Sequence, residues 1–99
     1  MKKALVVGVV LAGLVVSGTA MAFKGEQFSK EAKVSLEQAK ATALKTFPGQ
    51  IEDVELEKEA GGSGLRYSFD IRNGKVVHEV GVDAITGKLL ENSVDDGKD

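Results

Sequence analysis

Residues 65–88 read Leu65-Arg66-Tyr67-Ser68-Phe69-Asp70-Ile71-Arg72, then Asn73-Gly74, then Lys75-Val76-Val77-His78-Glu79-Val80-Gly81-Val82, and close on Asp83-Ala84-Ile85-Thr86-Gly87-Lys88. Apolar and polar residues alternate through the first run, the two-residue period of a strand buried on one face. Asn-Gly tolerates the positive φ of a tight type I′ turn, so the stretch predicts a hairpin with Asn73-Gly74 at its tip. That tip pairs Ile71 with Val76, Phe69 with His78, Tyr67 with Val80 and Leu65 with Val82 on an apolar face. The opposite face pairs Arg72 with Lys75, Asp70 with Val77, Ser68 with Glu79 and Arg66 with Gly81, and is expected to be polar and solvated. Asp83 to Gly87 turns the chain, with Gly87 at positive φ, and Lys88-Leu89-Leu90 forms a short fourth strand.

Upstream of the hairpin the period changes to that of a helix. Ser35 and Gln38 have the spacing of a capping box, with Val34 and Ala39 at the hydrophobic-staple positions. Leu36, Ala39, Ala43 and Phe47 fall on one helical face, and Phe47-Pro48-Gly49 ends the helix because proline disfavours helical geometry in the residue before it. Alanines on the buried face allow the helix axis to approach a sheet closely, so the hairpin supplies the bulk. Gln50 to Glu59 is the first strand, with Val54 and Leu56 inward, the acids Glu52 to Glu59 outward or at its edge, and Ile51 in the turn leading in. Ala60-Gly61-Gly62-Ser63-Gly64 is a flexible connection.

The ends carry different signals. Met1-Lys2-Lys3 followed by the apolar run Ala4–Val16 and by Ala20-Met21-Ala22 has the order of a secretory signal peptide over residues 1–22, with cleavage between Ala22 and Phe23. A retained membrane anchor is the competing reading, since 4–23 is about 20 residues long. Residues 23–33 form a flexible lead-in, 34–90 the folded domain, and 91–99 an acidic disordered tail. The expected location is the periplasm or the extracellular medium, without a stable membrane anchor after cleavage. The 99-residue chain has no cysteine and a net charge of −2, and loss of Lys2 and Lys3 with the leader takes it to −4. An acidic domain lacks the basic face that nucleic acid demands. The fold class is therefore α+β, one amphipathic helix on a three- to four-stranded antiparallel sheet.

The helix segment Val34–Lys40, the stop Phe47-Pro48-Gly49, the strand Glu52–Glu57 and above all Val80-Gly81-Val82-Asp83-Ala84-Ile85-Thr86-Gly87-Lys88 resemble, in order and spacing, a single PepSY domain over about Val34–Leu90. The resemblance implies a helix packed on a small antiparallel sheet in an exported or membrane-attached bacterial protein, and a role in restraining or modulating a peptidase. Because no catalytic domain follows in the sequence, action on a separate partner is expected.

Candidate chemistry is sparse. His78 is the single histidine, expected on the apolar face as a structural residue, since catalytic and metal-binding histidines need neighbouring acids or ligands. Asp83 with Thr86 suits an Asx-turn better than a calcium loop, which needs several spaced acids. Asp95, Asp96 and Asp99 read as a solvated end, and Gly61-Gly62-Ser63-Gly64 lacks the Lys-Ser/Thr of a phosphate loop. No nucleophile–base pair can be assembled, so an enzyme is not expected, and neither is a cofactor or a bound metal. The expected function is a non-catalytic module that binds a peptidase or another envelope protein through Arg66, Ser68, Asp70 and Glu79 on the outer hairpin face, with Glu55 and Glu57 beside them, or by strand addition at a sheet edge. The alternative is a periplasmic small-ligand or metal-binding protein. The oligomeric state is left open.

Overall fold

Ser35 starts the one α-helix among the described residues, as its spacing requires. In the computed structural model, which describes residues 23–95, its hydroxyl accepts from the Gln38 N–H at 3.1 Å while Gln38 Oε1 accepts from the Ser35 N–H at 2.9 Å, closing the capping box. Helix α1 (Leu36–Thr46) ends with the Phe47 N–H donating to the Ala43 carbonyl, immediately before Pro48. The leader expected over residues 1–22 and residues 96–99 of the tail lie outside the described residues. Among the described residues no helix is long and apolar enough to cross a membrane.

Four antiparallel strands, β1 (Gln50–Lys58), β2 (Leu65–Asn73), β3 (Val76–Asp83) and β4 (Leu89–Val94), lie in sequence order in one sheet. Helix α1 packs on one face of it, an α+β architecture. Ala39 and Ala43 are fully buried and bring the helix close to Leu56, Leu65, Tyr67, Phe69, Ile71, Val80 and Val82. Burying each of the larger of these side chains contributes about 1.5–3 kcal/mol. The Tyr67 hydroxyl donates to the Val34 carbonyl at 2.9 Å, tying the strand to the helix start.

The structure corrects the hairpin register. Asn73 pairs with Val76, so the turn residues are Gly74-Lys75, and the apolar pairs are Ile71–His78, Phe69–Val80 and Tyr67–Val82. Asn73 is held in the ladder while its side-chain amide donates to the Pro48 carbonyl at 2.9 Å, and Gly74 takes the positive φ of 64°, as fits the first central residue of a hairpin turn. The slip is by two residues, so no side chain changes face. Arg66 now lies opposite Asp83, Ser68 opposite Gly81, Asp70 opposite Glu79 and Arg72 opposite Val77. Val76 remains 45% exposed.

Other segments differ from expectation. Ile51 belongs to β1, opposite Ile71, and a bulge before Asp53 makes Glu52 the additional residue. That bulge lets Ile51, Val54 and Leu56 share the core side although their spacing breaks strict alternation. The lead-in is not a free segment. Glu26–Glu31 form a 3-10 helix, with Phe23, Phe28 and Ala32 packed on the core, and the Lys24 carbonyl accepts from the Leu56 N–H at 2.8 Å beside the β1 edge. Gly25, at φ 88°, permits this approach because a Cβ there would collide with the Leu56 carbonyl. The Lys33 and Val34 N–H groups both donate to the Ala84 carbonyl at 2.9 Å. The fourth strand runs on to Val94, well into the stretch expected to be a disordered tail.

Candidate functional site: the acidic outer sheet face

Alternation along each strand sends one set of side chains to α1 and the other to the opposite face of the sheet. No described element covers that second face. Glu55 and Glu57 of β1, Ser68 and Asp70 of β2, and Glu79 of β3 meet there with Asp53, Glu59 and Asp95 around a shallow cleft of about 230 Å³. The Ser68 hydroxyl donates to Glu57 Oε2 at 2.7 Å. Asp70 and Glu79 are direct cross-strand partners, an arrangement that is unfavourable for like charges.

The electrostatics follow from this crowding. Burial, and then the neighbouring charges of Glu91, Asp70, Glu57 and Asp95, push the Glu79 carboxyl up to about 7. Burial also raises Glu55; Lys24 opposes that shift, while Glu57 and Asp53 add to it. Glu79 therefore titrates near neutral pH, far above the usual carboxylate range.

The expected surface is only partly what forms. Asp70, Glu79, Glu55 and Glu57 are brought together, but Arg66 and Ser68 are 7% and 8% exposed, a correction to the solvated face expected for them. Arg66 lies over Gly81, where a Cβ would stand 3.3 Å from its Nη1. Its guanidinium donates to the Ala60 carbonyl at 3.2 Å and reaches Glu91 at 3.4 Å and Glu59 at 3.9 Å. Burying a charge is tolerated only with such partners. The sequence signal for this was the glycine inside a strand, which marks a close approach.

His78 lies on the other side of the sheet. Its ring stacks on Phe47, with centroids 3.7 Å apart and planes within 2°, and its Nδ1 is 2.7 Å from Asn92 Oδ1. Asp83 sits at the end of β3 and its carboxylate accepts from the Ser63 N–H and hydroxyl and from the Ile85 and Thr86 N–H groups. This is the expected Asx-turn, with Ser63 added. The loop 60–64, expected to be flexible, is thereby fastened to the β3–β4 turn. Ser63 was missed because a serine among glycines carries no signal for a partner 20 residues away. His78, Glu79 and Asp83 thus occupy three separate places and do not converge as a catalytic set. Among the described residues no group of three or more His, Cys, Asp or Glu side chains is placed to hold a metal ion.

The chain matches, over residues 33–92, the family described as peptidase propeptide and YPEB domain. No curated protein and no solved structure matches significantly.

Proposed function

The chain belongs to the PepSY family of peptidase propeptide and YPEB domains, and on that premise we propose that it is a non-catalytic protein-binding domain, exported to the periplasm or beyond, that modulates a peptidase or another envelope protein. Its docking surface is the acidic sheet face, built on Glu55, Glu57, Asp70 and Glu79. One observation carries this reading: carboxylates from neighbouring strands are crowded on a face that no described element covers, where burial and then the neighbouring charges push Glu79 up to about 7. Like charges held opposite one another weaken a sheet. A lysine or arginine of a partner relieves that repulsion and gains charge-assisted hydrogen bonds. The family's association with peptidase propeptides supports a peptidase as the partner.

The test uses the protein immobilised in wild-type form and as Glu57→Gln/Asp70→Asn/Glu79→Gln, exposed to an envelope extract. The wild type is expected to retain a defined protein that the triple variant releases, and retention is expected to weaken as salt rises. Equal retention by a triple variant whose urea midpoint is no lower than that of the wild type would overturn the assignment of the face.

A further inference from the structure

The two edges of the sheet are not equivalent. At β1 the Lys24 carbonyl already takes the Leu56 N–H, and the bulge at Glu52 kinks the strand. Both features protect an edge from further pairing. At β4 no described segment pairs with the outer edge, and Glu91-Asn92-Ser93-Val94 contains neither proline nor lysine. The Asp95 N–H donates inward to the Val77 carbonyl at 2.8 Å. Because antiparallel pairing alternates, Ser93 also bonds inward to β3, whereas the N–H and C=O groups of Asn92 and Val94 point outward along the edge.

The two sides of this edge differ in chemistry. On the helix side Val94 is 64% exposed and Val76 45% exposed, near the Phe47–His78 stack. On the outer side stand Glu91 and Ser93, opposite Gly81 and Glu79. Glu91 shares the Arg66 guanidinium, and the Ser93 hydroxyl donates to Glu91 Oε2 at 2.9 Å. Glu79, Glu57, Asp70 and Asp95 leave that side negative.

We infer that the outer edge of β4 accepts an extended segment of the partner in which basic and aliphatic residues alternate. Its backbone bonds to Asn92 and Val94, its aliphatic residues lie against Val94 and Val76, and its basic residues lie beside Glu91 and Glu79. A two-residue period is required because an added strand sends successive side chains to opposite faces. A second copy of this chain is a poor occupant, since pairing β4 with β4 sets two acidic faces side by side. The inference rests on the reading of the acidic face as a docking surface.

The probes are three synthetic peptides titrated into the full chain by fluorescence anisotropy: alternating lysine and valine, the same residues in two blocks, and the alternating peptide N-methylated at every second amide. The alternating peptide is expected to bind at least about tenfold tighter than the other two, the effect of losing one or two good hydrogen bonds. It is also expected to slow amide exchange at Asn92 and Val94. Val94→Pro removes an outward donor and no inward one, so it is expected to abolish this binding with little change in the urea midpoint. Equal binding of the block peptide would refute the edge while leaving the acidic face standing, and binding by neither would refute both. Protection of β1 amides, or a stable dimer in sedimentation, would also overturn the inference, because the occupant or the edge would be another.

Discussion

Replacing one oxygen of Asp83 by nitrogen should destabilise this domain more than most larger changes on its surface. The residue is 1% exposed. Its Oδ2 accepts from the Ser63 N–H at 2.7 Å, and its Oδ1 from the Ser63 hydroxyl at 2.7 Å, the Ile85 N–H at 2.8 Å and the Thr86 N–H at 3.0 Å. Burial alone would raise its pKa, but the bonds from Ser63, Thr86 and Ile85 outweigh burial and hold it well below the usual carboxylate range. In Asp83→Asn, Oδ1 keeps its three donors while an NH2 group faces the Ser63 N–H. One charge-assisted bond is lost, the remaining ones weaken, and a donor meets a donor, together about 2–4 kcal/mol at roughly 1.5–3 kcal/mol for a bond to a charged group. A domain of this size has only about 4–11 kcal/mol in total. With a urea dependence of about 1 kcal/mol per molar, the midpoint should fall by about 2 M or more. A fall of less than about 0.5 M would refute the account of the loop lock. The pH dependence has a fixed sign. The folded pKa is depressed, so the unfolded chain takes up the proton first; the contribution is present above about pH 4 and is lost as pH falls further. Asp83→Asn should lack that part of the acid limb. Ser63→Ala combined with Asp83→Asn should lose less than the sum of the single losses, and additivity within about 0.5 kcal/mol would mean the two residues act independently.

Glu79→Gln should stabilise the protein at pH 8 and leave it nearly unchanged at pH 5. The folded pKa is raised to about 7, so the folded state holds the extra proton between about 4.3 and 7, and stability declines as pH rises through that window. Because the group is partly solvated, the gain at pH 8 is held to about 1 kcal/mol; urea midpoints at the two pH values measure it, and an equal shift at both would contradict the electrostatic cause. Gly25→Ala forces a Cβ against the Leu56 carbonyl at a positive φ, which should remove about 1–3 kcal/mol and speed exchange of the Leu56 amide. An unchanged exchange rate would show that the Lys24 bond survives.

Which features were legible in the sequence depends on how local their causes are. The faces of the hairpin were readable from Leu65 to Val82 because parity survives a two-residue slip. The register itself was not, because Asn73 behaves as a strand residue once Pro48 gives its amide a partner. Ile51 looked misplaced since a bulge inserts Glu52 between it and Val54. Glu91–Val94 lacked an apolar alternation because this edge strand contributes acids to one face and little to the core under α1. The acidic character of Glu55, Glu57, Asp70 and Glu79 was evident in the residue types. The shift of Glu79 was not, since it needs the partial burial of the carboxyl in the assembled sheet and then charges from three other strands and their ends brought within reach. Arg66 appeared solvated because Gly81, although it marks a close approach inside a strand, does not by itself say that the Arg66 guanidinium would lie over it and find Ala60, Glu59 and Glu91 as partners.

The in-order arrangement of the strands has a consequence for the time course of folding. Each strand pairs with its predecessor, across connections spanning only residues 59–64, 74–75 and 84–88. Short loops are closed at little entropic expense, and a hairpin forms in about 1–10 μs. Among the four strands no pairing has to wait for a distant segment to arrive, which suits a search that grows outward from the Gly74 turn; among the described β-bridges only that of Lys24 to β1 joins segments far apart in sequence. Contacts of low sequence separation place such a chain toward the fast end for sheet proteins. A chain that completes its sheet by local steps spends little time with unpaired strands on show, the state in which small sheet proteins are most exposed to misassociation.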